Sequence, residues 1–173
     1  MSSTVADQLL ARLREWGVEQ VFGYPGDGIN GILGAFSRMI DRQVLEGTSD
    51  DMAGEPARER LFDVFMRRID ALTPYKTALR RIAAALRRDP LSLSALNQVA
   101  LNSQRFMLAA AGIDSEGRLG ALKLQGAVVT FARTLDVWFH DDDPGLARTL
   151  AHLDKALRRG ERCLERADDL HRL

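Results

Sequence analysis

Leu124, Val128, Phe131, Leu135 and Trp138 recur at intervals of 4, 3, 4 and 3 residues, and Leu146, Leu150, Leu153 and Leu157 follow at 4, 3 and 4. Apolar residues at that period lie along one side of an α-helix; a strand, whose side chains alternate, cannot bury them together. The spacing predicts two long consecutive helices, over residues 118–139 and 144–168. A second stripe of Leu122, Val129, Ala132 and Phe139 widens the apolar face of the first. Two such helices need something to bury against: each other, or the same pair in a second copy, forming a four-helix interface. Leu124, Val128, Leu135, Leu146, Leu150, Leu153 and Leu157 are accordingly the candidate dimer-interface residues.

The same period organises most of the remaining chain. Phe62, Phe65, Ile69 and Leu72 predict a helix over 56–72. Thr73-Pro74 then stands in the favoured order for a helix start, cap first and proline in the first turn. Leu79, Ile82 and Leu86 mark that next helix, which ends before Asp89-Pro90, and a third runs over 91–111 to Gly112. At the N-terminus, residues 4–16 form an amphipathic helix through Val5, Leu9, Leu10 and Leu13, with Ser3 or Thr4 as cap and Gly17 as stop. "VEQVFGY" (18–24) alternates as a strand does, and strand signals vanish after Gly31. Residues 32–46 read as a helix ending at Gly47, and "GTSDDMAGEP" (47–56) is a polar, turn-rich connection. The expected class is all-α, with a short helix-strand-turn segment at the N-terminus.

Charge and cysteine content narrow the partners. The chain has 173 residues with 24 basic and 24 acidic side chains, so its overall balance announces neither nucleic acid nor an anionic membrane. Residues 1–36 carry only Arg12 and Arg14 against Asp7, Glu15, Glu19 and Asp27. The single cysteine, Cys163, permits no internal disulfide and suits a reducing compartment. No signal peptide and no apolar run near the ~20 residues of a membrane span are evident, so a cytoplasmic protein is expected.

Gly26-Asp27-Gly28-Ile29-Asn30-Gly31 matches G-x-G-x-x-G between an expected strand and a helix. A dinucleotide site also needs a second strand ending in an acid about 20 residues on. The residues at that distance, "TSDDMAGEP", are a hydrophilic turn. "TVADQLLARLREWGVEQVFGYPGDGINGILGAF" (4–36) instead resembles the N-terminus of thiamine-diphosphate enzymes of the pyruvate oxidase and acetolactate synthase type. That resemblance implies a glutamate for the aminopyrimidine ring on a following strand, and an Asn that helps hold Mg²⁺. Glu46 and Glu55 lie in the right interval but beside a helix end and a turn, and residues near Ala53–Glu55 include no Asn. The segment is expected to bind no cofactor.

From about Ala35 to residue 170 the chain resembles a second family. "AFSRMIDRQVLEG", "ARERLFDVFMRRIDALTPYKTALRRIAAALRRDP" and above all "VWFHDDDPGLARTLAHLDKAL" resemble the C-terminal core of TetR-family regulators. More narrowly, they resemble the branch related to the lipid-binding accessory protein of coenzyme Q biosynthesis. The resemblance implies a helical bundle that dimerises and binds a hydrophobic small molecule or lipid, divided here as residues 1–36 and 37–173. It also implies a pocket between helices, for which Phe65, Met66, Phe106, Met107, Phe131 and Trp138 are the candidates; such residues at helical spacing also serve simply as core. The DNA-binding head of that family has no counterpart in residues 1–36, which lack a basic recognition helix. Direct nucleic-acid binding is not expected. Either the chain acts as a headless partner, or it joins pieces of two unrelated proteins.

His140, Asp141, Asp142 and Asp143, with His152, raise a metal site, but Asp142 and Asp143 precede Pro144 and suit the capping of the last helix. No G-x-S-x-G and no Cys–His pairing by spacing stand out, so catalytic and metal residues are both expected to be absent.

Overall fold

The stripe centred on Phe65 and Ile69 becomes the central helix of the molecule. The structure, a computed structural model, describes residues 4–19, 27–47, 54–88 and 90–171. Among these residues there are seven α-helices and no strand: α1 (Val5–Glu15), α2 (Asp27–Glu46), α3 (Ala57–Leu72), α4 (Lys76–Leu86), α5 (Pro90–Ala110), α6 (Gly117–Trp138) and α7 (Ala147–His171). A 3₁₀ turn, Thr73–Tyr75, joins α3 to α4. The all-α class read from the sequence is the one observed.

Helix α3 buries Leu61, Val64, Phe65, Arg68, Ile69, Ala71 and Leu72, and packs on α2, α5 and α7. The α6–α7 pair closes the other side of the core, with α6 also lying on α5. Phe65 meets Phe131 of α6 edge-on, with ring centroids 5.0 Å apart. Ile40, Met107, Trp138 and Leu153 complete the fully buried centre. Removing one such side chain from water contributes about 1.5–3 kcal/mol, so this cluster carries most of the stability.

The helix stops expected at Gly17 and Gly112 are present, and the second shows the reason. Gly112 has φ +65°, a left-handed conformation that brings the Ile113 amide 2.8 Å from the Leu108 carbonyl. That bond satisfies a terminal carbonyl of α5 at little steric cost only when the residue lacks a Cβ. Gly120 is required for a different reason: a Cβ there would stand 2.2 Å from the carbonyl carbon of Ser115.

Helix α7 begins at Ala147, three residues beyond Pro144, because Leu146 takes a positive φ of 50° and interrupts the turn before it. Its capping falls to two acids. Asp143 Oδ2 accepts from the Ala147 amide at 3.1 Å, and Asp141 Oδ2 accepts from the Thr149 amide at 2.8 Å and its hydroxyl at 2.6 Å. Of the two caps expected, Asp143 serves and Asp142 stays exposed. Asp141, fully buried, does the deeper work, and the Thr149 hydroxyl holds its carboxyl below the usual carboxylate range.

Two local expectations change, and a third lies mostly outside the described residues. Helix α2 starts at Asp27, so Asp27–Gly31 are helical where a glycine-rich turn was expected, and the helix begins five residues before position 32. Of the strand expected over 18–24, residues 20–24 lie outside the described residues, and Val18 and Glu19 are in no strand. Thr73 does not cap the start of the next helix: it closes α3 with a helical backbone and its hydroxyl donates to the Ile69 carbonyl at 3.0 Å, because the chain runs from α3 into the 3₁₀ turn without leaving helical geometry. Across the division expected at 36/37, α2 is unbroken, and Phe36 packs edge-on against Tyr75 at 4.9 Å between centroids.

Candidate functional site

Two helix faces of identical spacing meet between α2 and α5. Gly34, Ser37, Arg38 and Asp41 lie on α2 at intervals of 3, 1 and 3, and Val99, Asn102, Ser103 and Phe106 lie on α5 at the same intervals. With Arg105 they line a groove of about 420 Å³. Small side chains at 34, 37 and 103 keep the helices from filling the space between them.

The floor of the groove is a buried polar network. Asp41, 5% exposed, accepts at Oδ1 from Arg68 Nη1 of α3 and from Ser103 Oγ at 2.7 Å. Arg68 is 7% exposed, with its guanidinium carbon 5.3 Å from the centre of the Phe131 ring. Its burial lowers its pKa, opposed by the Asp41 charge. A guanidinium keeps its proton even so. Arg68 Nε and Gln104 Oε1 are buried without hydrogen-bond partners, so the network is not fully satisfied.

Arg38 at the groove's edge has two faces. Its Nε and Nη2 donate to Asp7 Oδ1 of α1 at 3.1 and 2.8 Å, and Nη2 also reaches Thr4 Oγ1 at 3.0 Å. Its Nη1 makes none of these bonds and lies 3.4 Å from where a Cβ on Gly34 would stand. Asp7 is held at a pKa of about 2, first by the Thr4 hydroxyl and amide that form a capping box with it, and further by Arg38. A second groove, about 480 Å³, runs between α1 and α2 past Leu10, Arg14, Ala35, Met39 and Arg42.

The residues singled out by pattern fall mostly elsewhere. Of the pocket candidates, Phe65, Met107, Phe131 and Trp138 are buried in the core, Met66 is half-buried against it, and Phe106 alone lines the α2–α5 groove. Of the dimer candidates, Leu124, Leu153 and Leu157 are buried within this chain, and Val128, Leu135, Leu146 and Leu150 are half-buried. The large apolar residues of α6 that are exposed are Leu122 and Val129, from the second stripe. Asp143 and Oδ2 of Asp141 are engaged in capping, Asp141 Oδ1 is buried without a hydrogen-bond partner, and His140 Nδ1 lies 2.9 Å from the Asp136 carbonyl. Among the described residues no three His, Cys, Asp or Glu side chains are grouped to hold a metal ion. Cys163 is exposed on α7.

Pattern reading missed Asp41, Arg68 and Ser103. A signal was there: Arg68 stands three residues after Phe65 and one before Ile69, and Asp41 stands between Ile40 and Val44. A charge inside an apolar stripe must find a partner within the fold.

No known protein family matches the chain, and no curated protein matches it.

Proposed function

We propose that this chain is a ligand-binding and self-associating helical module of the TetR C-terminal kind, acting by binding and not by catalysis. The observation that carries this reading is the α2–α5 groove, open at the surface and floored by the Asp41–Arg68–Ser103 network. Apolar Val99 and Phe106 beside a few fixed polar groups are what a small-molecule site needs for affinity and orientation. Catalysis finds less support there. Asp41 is engaged by a guanidinium and a hydroxyl, and the groove residues include no histidine or lysine to take a proton from Ser103.

Self-association would use the outer face of α6. Leu122 and Val129 are 52% and 43% exposed there, with Ala121, Gly126 and Ala132 around them. A second copy meeting this face would bury apolar surface that one chain leaves in water. Residues 1–36 carry only Arg12 and Arg14 as basic side chains, so duplex DNA should not be retarded by these residues and this bundle.

Native mass spectrometry of protein purified from cells tests the reading. We expect a mass near twice 19.2 kDa, carrying a small organic species. A bare monomer at micromolar concentration would contradict both halves.

A further inference from the structure

Resting on that reading of the groove, we propose that the α2–α5 groove binds a small organic monoanion with an apolar body. Its acid group would lie on Arg105 and on Nη1 of Arg38, and its body along Phe106 and Val99.

The charges lining the groove determine the sign of the ligand. Asp41 is neutralised from beneath by Arg68, and Arg38 is matched on its far face by Asp7. Arg105 is exposed on α5 and has no ion-pair partner among the described residues. One positive charge is therefore left over at the mouth of the groove. A guanidinium presents its donors in a fork that fits a carboxylate, so the unmatched group selects an anion by geometry as well as charge. One unmatched positive charge balances a monoanion and leaves a dianion uncompensated, which favours a carboxylate over a phosphate.

Shape determines the rest. Gly34 and Arg38 both line the groove, and Gly34 has no side chain where a Cβ would stand 3.4 Å from Arg38 Nη1. The other two guanidinium nitrogens are tied to Asp7 and Thr4 of α1, which holds the fork in place before any ligand arrives. Asp7 is thus a positioning residue for the groove: it acts on the ligand only through Arg38. A donor fixed in advance loses less entropy on binding than a free arginine does.

The test is calorimetric titration of the full chain with sodium benzoate and with benzamide, its neutral counterpart of the same shape. The unsubstituted protein is compared with Arg105→Ala and Gly34→Leu, each checked for an unchanged circular dichroism spectrum. We expect saturable benzoate binding, weakened roughly tenfold or more by Arg105→Ala, as loss of a charge-assisted hydrogen bond implies. Benzamide should bind about tenfold more weakly than benzoate, and Gly34→Leu should abolish binding of both. Equal affinities for benzoate and benzamide, with Arg105→Ala silent, would overturn the anion assignment and leave the groove a neutral ligand site. Absence of binding by both probes, or benzoate binding untouched by Gly34→Leu, would overturn the groove as a site and the functional reading with it. Should Gly34→Leu fail to fold, Arg105→Ala and the benzamide comparison still decide the assignment.

Discussion

Helices α1 and α3 are both amphipathic by sequence, yet they are attached to the molecule by opposite means. Helix α3 buries seven residues among three neighbours, whereas α1 buries none and packs chiefly on α2. Val5 of α1 and Trp16, which caps its C-terminus, remain 84% and 73% exposed. What fixes α1 in place is polar: the Thr4–Asp7 capping box and the grip of Asp7 and Thr4 on Arg38. Apolar burial is insensitive to acid and moderate salt, while a solvent-accessible ion pair is screened and titrates. The two regions should therefore fail under different stresses, and α1 should open while the core stays folded.

The largest effects belong to the core. Phe65→Ala should destabilise the whole chain by about 3–5 kcal/mol, read as a fall in the urea midpoint with α1 and α3 signals lost together. Arg68→Ala should do about as much, because it strands Asp41 as an uncompensated buried charge, whereas Arg68→Met combined with Asp41→Leu should recover most of the loss. If Arg68→Ala proved neutral, the network under the groove would be an incidental pairing.

Intermediate effects belong to close backbone approaches. Gly120→Ala should destabilise by about 1–3 kcal/mol in thermal melts, because the backbone at Ser115 has to move away from the new methyl group.

The smallest global effect and the sharpest local one should come from Arg38→Ala. The Arg38–Asp7 pair is half-buried at the surface and still open to solvent, where ion pairs contribute about 0–1 kcal/mol, so the melting temperature should change little. Hydrogen exchange of amides in α1 should nonetheless rise to near-unprotected rates while α3 is unaffected. Acid should reproduce the same loss. The Asp7 pKa is lowered from 3.8 to about 2, so its contribution to docking α1 is complete above about pH 4 and is lost as pH falls toward about 2. A carboxyl titration of Asp7 by NMR with a midpoint near 4 would contradict the latch.

The contrast between α1 and α3 also explains what could be read from the residues alone. The long helices were legible because stripes such as Leu124–Trp138 and stops such as Gly17 and Gly112 are local signals whose physics needs no partner. The start of α2 was not. Gly28 and Gly31 each cost a helix about 1 kcal/mol, and it is the packing of Ile40 and Val44, further along the helix, that offsets this. A stripe also cannot say who covers it: Leu124, Leu153 and Leu157 find one another's helices inside the chain, although the same spacing would serve a second copy equally well. The groove was least visible. It depends on Gly34, Ser37 and Ser103 being small at matched positions of two helices some 60 residues apart in sequence.

What joins these regions is Arg38, with one face toward α1 and the other toward the groove. The most direct measurement is hydrogen exchange by mass spectrometry on the full chain, with and without saturating benzoate. We expect added protection in residues 34–41 and 99–106 and, through Arg38, increased protection in α1, because a ligand that uses the Asp7-held form of Arg38 must stabilise that form. Protection appearing instead around Phe65, Phe131 and Trp138, with α1 and the groove unchanged, would contradict the assignment and place the ligand inside the helical core.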